Sequence, residues 1–109
     1  MAGIVVLGEI GVDPAQREAW HELLVQHRKG VLAEEQGCLA LNVYVDPTDP
    51  NRYALFEFFA DQAAVDVHRN SVRLGKFREV TDPMVVSREI WAVDERNSVD
   101  ISYFPGAQT

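Results

Sequence analysis

The sequence predicts a single α+β domain whose strands and helices follow the order βαββαβ. Three observations lead to this prediction: short apolar runs suited to strands, helical periodicity between some of them, and breaker residues at the junctions. Antiparallel strands can be joined by a short turn, whereas the helical stretches serve as longer crossovers. This order is that of a ferredoxin-like unit, a four-stranded antiparallel sheet with two helices on one face.

The first strand and the first helix take up residues 3–35. Ile4-Val5-Val6-Leu7 is continuously apolar, which favours a central place in the sheet. Asp13-Pro14 then supplies an N-cap and a proline at the first helical position. The helix should bury one stripe, made of Trp20, Leu23, Leu24, His27 and Val31. Gln36-Gly37 ends it, and Gly37 is expected in the left-handed conformation.

The second and third strands, residues 38–46 and 53–59, are predicted to form an antiparallel hairpin because their connection is short. Breaker residues fill that connection: Pro47, Asp49, Pro50 and Asn51. One face of the second strand should carry Leu39, Leu41, Val43 and Val45. In the third strand both alternating sets of side chains are mostly apolar, so both faces should be covered.

Two helical pieces and a fourth strand complete the predicted fold. Asp61 N-caps a helix that carries His68 near its end, and Ser71 caps a second piece that stops at Asp82-Pro83. The fourth strand, residues 84–93, places Arg88 and Trp91 on opposite faces.

The predicted sheet has more apolar surface than its helices can cover. A second copy of the same sheet would cover the remaining face, so the sequence predicts a homodimer through the sheet face. Residues 1–94 form the domain, and residues 95–109 form a tail in which Val99, Ile101 and Tyr103 alternate with other residues. We expect this tail to contact the partner subunit; a disordered terminus is the alternative.

Composition narrows the classes of function. The chain has 109 residues and a net charge of −7, which argues against nucleic acid and against an anionic membrane surface as partners. Cys38 is the only cysteine, so no intrachain disulfide forms and a cytoplasmic location is expected. The N-terminal segment lacks the basic region and the apolar length of a signal peptide or a membrane span.

Glu57 and His68 are the strongest candidates for catalysis. Glu57 lies in an otherwise apolar strand, where an ionisable group is hard to place in bulk water. His68 falls on the apolar stripe of its helix, so its ring should point toward the sheet and can exchange a proton near neutral pH. In the alternative interpretation both are structural: His68 donates to a backbone carbonyl or to Glu57, and Arg88 or Arg52 neutralises Glu57.

Six further residues are candidates for substrate binding: Phe59, Trp20, Trp91, Arg88, Asn42 and Tyr44. The rings would form an apolar pocket, the guanidinium would hold an anionic oxygen, and the amide and phenol would form hydrogen bonds. Core packing, ion pairing and exposure on an edge strand are the alternatives.

No metal or cofactor site is predicted. The three histidines lack metal-ligand spacing, and the chain contains no Walker loop, GxSxG elbow or CxxC pair. Cys38 is expected to be a small buried apolar residue rather than a nucleophile, because no base is visible near it.

Four motifs at fixed places in the chain are similar to those of a known family. They are Glu35-Gln36-Gly37-Cys38 at a helix end, Asp46-Pro47 at the hairpin, Glu57-Phe58-Phe59 at a strand end, and Ala64 with His68 in the next helix. Over roughly residues 3–93 the chain resembles the antibiotic biosynthesis monooxygenase family, whose pattern is E-P-G-C, D-P, E-x-W and A-x-x-x-H. Gln36 replaces a proline of that pattern, and Phe59 replaces a tryptophan.

The resemblance implies dimers whose sheets pack face to face as a barrel, with Glu57 and His68 as the family's marked residues. It also implies, for several members, oxidation of quinols or polycyclic phenols by O2 without a cofactor. The leading hypothesis is a cofactor-independent monooxygenase for a small aromatic quinol or phenol, with His68 as base and Glu57 orienting it. The alternatives are an isomerase of a small phosphorylated carbonyl compound, with Arg88 holding the anion, and a non-catalytic dimeric barrel that binds a ligand.

Overall fold

The structure, a computed structural model, describes residues 3–94. Its elements are β1 (Ile4–Val12), α1 (Arg17–Glu34), β2 (Cys38–Asp46), β3 (Asp49–Phe59), α2 (Gln62–Arg69), α3 (Val72–Thr81) and β4 (Val85–Asp94). The strands form one antiparallel sheet in the order β2-β3-β1-β4, with the two most apolar strands at its centre. This confirms the predicted α+β, ferredoxin-like fold, with the second crossover divided between α2 and α3. The tail that is predicted to contact the partner subunit, residues 95–109, lies outside the described residues.

Side-chain caps fix where the helices begin, as the sequence predicts. The Asp61 carboxylate accepts a hydrogen bond from the backbone N–H of Ala64, and the Ser71 hydroxyl accepts one from that of Leu74. Asp13 likewise caps a 3-10 turn that leads into α1. Because β3 ends two residues before Asp61, the cap starts α2 directly over the sheet and brings His68 back above β3.

The inner face of the sheet packs against the helices and forms the core. Its buried apolar side chains include Val6, Ile10 and Val12 of β1, Tyr53 and Phe59 of β3, and Trp20 and Val31 of α1. Buried among them are the side chains of His27, Glu57 and His68, which can carry a charge near neutral pH. The predicted α1 stripe is therefore confirmed at Trp20, His27 and Val31.

The outer face of the sheet also carries apolar side chains. Leu7 of β1 lies between Phe56 of β3 and Trp91 of β4, since cross-strand partners share a face. Val5, Phe58 and Val93 form the next row on the same face. Trp91 is 44% exposed in the single chain.

Gly37 does not adopt the predicted left-handed conformation. No residue between 3 and 94 has a positive φ, and α1 ends through an extended Glu35 instead. Glycine is required here for a different reason: a Cβ at this position would overlap the Cβ of Ala64 in α2. The Gly37 carbonyl also accepts a hydrogen bond from the N–H of Ala60, so the chain entering β2 is pressed against the start of α2.

The hairpin differs from the prediction at both ends of β2. The register between β2 and β3 shifts between Cys38 and Ala40, so Leu39 leaves the inner face and is 57% exposed. At the other end the turn is confined to Pro47 and Thr48, because Asp46 accepts hydrogen bonds from the N–H and hydroxyl of Thr48. Residues 49–51, predicted as turn, therefore begin β3. Between residues 3 and 94, no helix is long and apolar enough to cross a membrane.

Candidate active site

The centre of the candidate site is His68, which lies between two carboxylates. Its Nδ1 is 2.8 Å from Oε1 of Glu35, and its Nε2 is 3.3 Å from Oε2 of Glu57. His68 is 6% exposed and Glu57 7%. Glu35 directly follows α1, Glu57 lies near the C-terminal end of β3, and His68 lies in the last turn of α2. Both ring nitrogens therefore face an acceptor within the core.

The charges around His68 favour its protonated form. Burial lowers the pKa of a histidine, but Glu57 and Glu35 together outweigh this effect, so the pKa of His68 is raised. A buried imidazolium between two carboxylates is compensated, whereas any one of the three charges alone would be costly. The arrangement is thus a coupled acid–base centre.

A second buried histidine, His27, lies beside this centre in a different electrostatic state. Its ring stacks on Phe77 with centroids 4.1 Å apart, and its centroid is 6.3 Å from that of His68. Burial, with the charges of His68 and Arg73, lowers the pKa of His27 from 6.5 to about 4. Its Nδ1 is buried and has no hydrogen-bond partner within residues 3–94. The site therefore holds one histidine whose pKa is lowered next to one whose pKa is raised.

A cavity of about 520 Å³ opens between the inner face of the sheet and the helices. Its apolar wall includes Trp20, Phe59, Phe77, Leu24, Leu55 and Ile90. The ionisable side chains that line it are His27, Glu57, His68, Arg69, Arg78 and Arg88. Ligand pockets are typically about 300–1,000 Å³, largely apolar, with a few polar groups. The cavity is of the size and character that a small aromatic molecule requires.

The structure brings five of the eight predicted site residues to this cavity: His68, Glu57, Phe59, Trp20 and Arg88. The other three, Asn42, Tyr44 and Trp91, do not line it. Asn42 lies at the edge strand within 3.5 Å of Arg28 of α1, and Tyr44 is exposed. Trp91 lies on the outer face, because strand side chains alternate and Arg88 takes the inner one.

Neither Arg88 nor Arg52 neutralises Glu57, in contrast to the structural interpretation of this carboxylate. Arg88 pairs with Asp82 at 2.8 Å, and Arg52 pairs with Glu9. Glu57 contacts His68 instead. Four ionisable groups of the site were not among the predicted site residues: Glu35, His27, Arg69 and Arg78. The only sequence feature that pointed to Glu35 was its place in the E-P-G-C-like motif. His27 was assigned to the core stripe of α1.

Cys38 is buried near the two carboxylates, and its thiol is protonated at neutral pH. Burial, then Glu57 and Glu35, raises the pKa of Cys38 to about 11. In the part of the chain that the structure describes, no cluster of His, Cys, Asp and Glu is arranged to hold a metal ion.

The fold and the site define a small α+β protein with a buried acid–base centre beside an aromatic cavity. The model of the family described as antibiotic biosynthesis monooxygenase matches residues 3–80. This chain therefore belongs to the antibiotic biosynthesis monooxygenase family, and the resemblance in the motifs is confirmed.

Known proteins are similar to this chain in sequence or in fold. A Bacteroides thetaiotaomicron structure described as a candidate antibiotic biosynthesis monooxygenase has a TM-score of 0.79 and 27% identity, covering 84% of this chain and 87% of its own. A Caulobacter crescentus structure with the same description has a TM-score of 0.82 and covers 91% of this chain and 92% of its own; at 21% identity it shows the fold alone. An uncharacterised Synechocystis protein is 30% identical to this chain over 79 residues. The match covers 70% of this chain and 51% of the Synechocystis protein, so this chain spans about half the length of that relative.

Proposed function

We propose that this protein is a cofactor-independent monooxygenase that acts on a small aromatic quinol or phenol. The observation that supports this most directly is the buried His68, which lies between Glu35 and Glu57 and lines an aromatic cavity. Such a site can take a proton from a hydroxyl group and hold the resulting anion away from water. Membership of the family is consistent with oxygenase chemistry.

The chemistry requires little from the protein beyond binding and proton transfer. A phenolate is electron-rich and can itself reduce O2, giving a hydroperoxide on a ring carbon. That ring carbon then loses its hydrogen atom together with the outer OH of the hydroperoxide. The two leave as water, and the carbon becomes a carbonyl. For a phenol with a free ring position the products are a quinone and water, so the substrate supplies all the electrons. One oxygen atom enters the product and the other leaves as water.

The two carboxylates have different roles in this proposal. Glu57 lines the cavity together with His68, so we assign proton acceptance to this pair rather than to the imidazole alone. Glu35 contacts Nδ1 of the same ring and fixes its orientation, as a second hydrogen-bonding group does for many functional histidines. The rings of Phe59 and Trp20 would pack against the substrate's aromatic system.

We also propose that the protein forms a homodimer through the outer face of its sheet. Two apolar rows cross the central strands there, one centred on Leu7 and one on Val5. The helices pack on the inner face, so a second copy of the sheet would remove this surface from water. The same packing would bury Trp91 at the dimer interface rather than at the substrate.

Oxygen uptake by the chelator-treated protein tests the proposed activity. Hydroquinones, naphthoquinols and anthrones are offered in turn, and autoxidation of each sets the baseline. We expect uptake above the baseline that His68→Ala lowers by about 100-fold or more, since general acid–base catalysis contributes on that order. His21→Ala is the matched control, because His21 is an exposed α1 histidine outside the cavity lining.

The other outcomes would contradict part or all of this proposal. If His68→Ala oxidises a wild-type substrate as fast as the wild type does, the assigned role of His68 is wrong. Conversion that proceeds equally well without O2 favours the isomerase. Binding of the aromatic ligands with no conversion favours a ligand-binding module.

A further inference from the structure

Three arginines line the cavity from three different elements: Arg69 at the end of α2, Arg78 in α3 and Arg88 in β4. They are unusual in this protein, because the chain has only 10 Lys and Arg residues against 17 Asp and Glu. Among residues 3–94, Glu57 is the only carboxylate that lines the cavity, and it already contacts His68. The cavity therefore concentrates positive charge in a chain whose net charge is −7.

These guanidinium groups are available to a ligand. Within residues 3–94, the side chains of Arg69 and Arg78 form no ion pair. Arg88 pairs with Asp82, but that carboxylate is 51% exposed, and ion pairs that are open to water contribute little. A ligand oxyanion can replace this partner at little cost. The planar guanidinium is well suited to bind a carboxylate or phosphate with two hydrogen bonds.

We propose that the substrate of this site is an aromatic hydroxyl compound that also carries an oxyanion substituent, a carboxylate or a phosphate, held by Arg69, Arg78 and Arg88. The apolar wall takes the ring, the His68–Glu57 pair takes the hydroxyl proton, and the arginines take the anion. This inference rests on the proposed function for the role of the hydroxyl group. The anion site itself is independent of turnover.

Binding measured by calorimetry tests the anion site without requiring a reaction. The probes are 1-hydroxy-2-naphthoate, its uncharged methyl ester, and 1-naphthyl phosphate. We expect a charged probe to bind about 10-fold or more tightly than the ester, because hydrogen bonds to a charged group are stronger than those to a neutral group. The ratio between the naphthoate and the phosphate identifies which oxyanion the site prefers. Higher ionic strength should weaken the charged probes more than the ester.

Single substitutions assign the effect to the arginines. Arg69→Gln, Arg78→Gln and Arg88→Gln should each lower the preference for the charged probe, by about 3- to 10-fold, and leave the affinity for the ester nearly unchanged. Arg52→Gln is the matched control, since it removes the same charge from the hairpin, outside this cavity. Circular dichroism confirms that each variant is folded.

Two results would overturn the inference: equal affinity for the ester and both charged probes, or a preference that Arg52→Gln lowers as much as the cavity variants do. Failure of the proposed activity is recognised separately. A protein that binds charged probes selectively and consumes no O2 retains the anion site and loses the monooxygenase assignment. One that oxidises uncharged quinols and shows no preference for anions retains the activity and loses the anion site.

Discussion

Oε1 of Glu35 lies 2.8 Å from Nδ1 of His68 and joins the end of α1 to the last turn of α2. This contact leaves Nε2 as the ring nitrogen that faces Glu57. A carboxylate on the far nitrogen both orients an imidazole and stabilises its protonated form. In the proposed reaction Glu35 would act through His68, as a positioning residue.

Glu35→Gln should lower the pKa of His68, because one of the two carboxylates that stabilise the imidazolium becomes neutral. NMR titration of the His68 ring measures this directly. Glu34→Gln is the control: Glu34 is the preceding residue, but it pairs with Arg73 at the surface. An unchanged pKa of His68 in Glu35→Gln would show that the contact does not contribute to the charge state of the ring.

His27 should make the protein sensitive to acid. In the unfolded chain this histidine takes up a proton near pH 6.5, whereas in the folded chain it stays neutral down to about pH 4. The unfolded state therefore binds more protons between these values, and the free energy of unfolding falls as the pH falls through that window. The loss from this residue is about 3 kcal/mol at most.

His27→Phe should remove this part of the acid sensitivity and retain the stacking on Phe77. Urea unfolding at pH 7 and pH 4.5 gives the difference for each protein, and carboxylates that titrate in both cancel in the comparison. His68 has the opposite sign: its raised pKa stabilises the fold below pH 6.5, and this contribution is lost as the pH rises through the folded pKa. Equal pH dependence in wild type and His27→Phe would refute the assignment to His27.

How much of the site the sequence predicts depends on whether a contact is local. The cap at Asp61 and the helical period aim His68 at the sheet, and the structure places it there. The strand period separates Arg88 from Trp91, and a single pocket on one face cannot include both. Assigning both to one pocket neglected that alternation.

Local sequence patterns do not predict contacts between elements that are distant in the chain. Glu35 lies just past the last turn of α1, where helical periodicity no longer defines the direction of a side chain. Its contact with His68 exists because α2 packs closely against the turn at Gly37, and only tertiary packing determines that approach. The bulge at Leu39 likewise shifts the face of a residue without any breaker in the sequence.

Gly37→Ala should destabilise the protein, and this tests the close approach directly. The new methyl group would overlap the Cβ of Ala64 and push α2, with His68, away from the sheet. Overpacking of this kind costs about 1–3 kcal/mol. Gly75→Ala is the matched control, because its Cβ would meet nothing within 4 Å and Gly75 lies inside α3.

We expect Gly75→Ala to stabilise the protein by up to about 1 kcal/mol, as alanine is the better helix former. Chemical denaturation of both variants gives the comparison. If both substitutions shift the free energy of unfolding in the same direction by a similar amount, steric contact at Gly37 is not the reason for the glycine.

Trp91→Arg should convert the proposed dimer into a monomer. Trp91 lies beside Leu7 on the outer face, and an arginine from each subunit would meet apolar side chains in the interface without a partner. Val80→Arg is the matched control, because Val80 is similarly exposed, at 52% against 44% for Trp91, but lies on α3 in the helical layer. Light scattering after size exclusion gives the mass of each. A wild-type monomer would contradict the proposed dimer. A Trp91→Arg protein that stays dimeric while Val80→Arg dissociates would place the interface on the helical layer instead of the sheet.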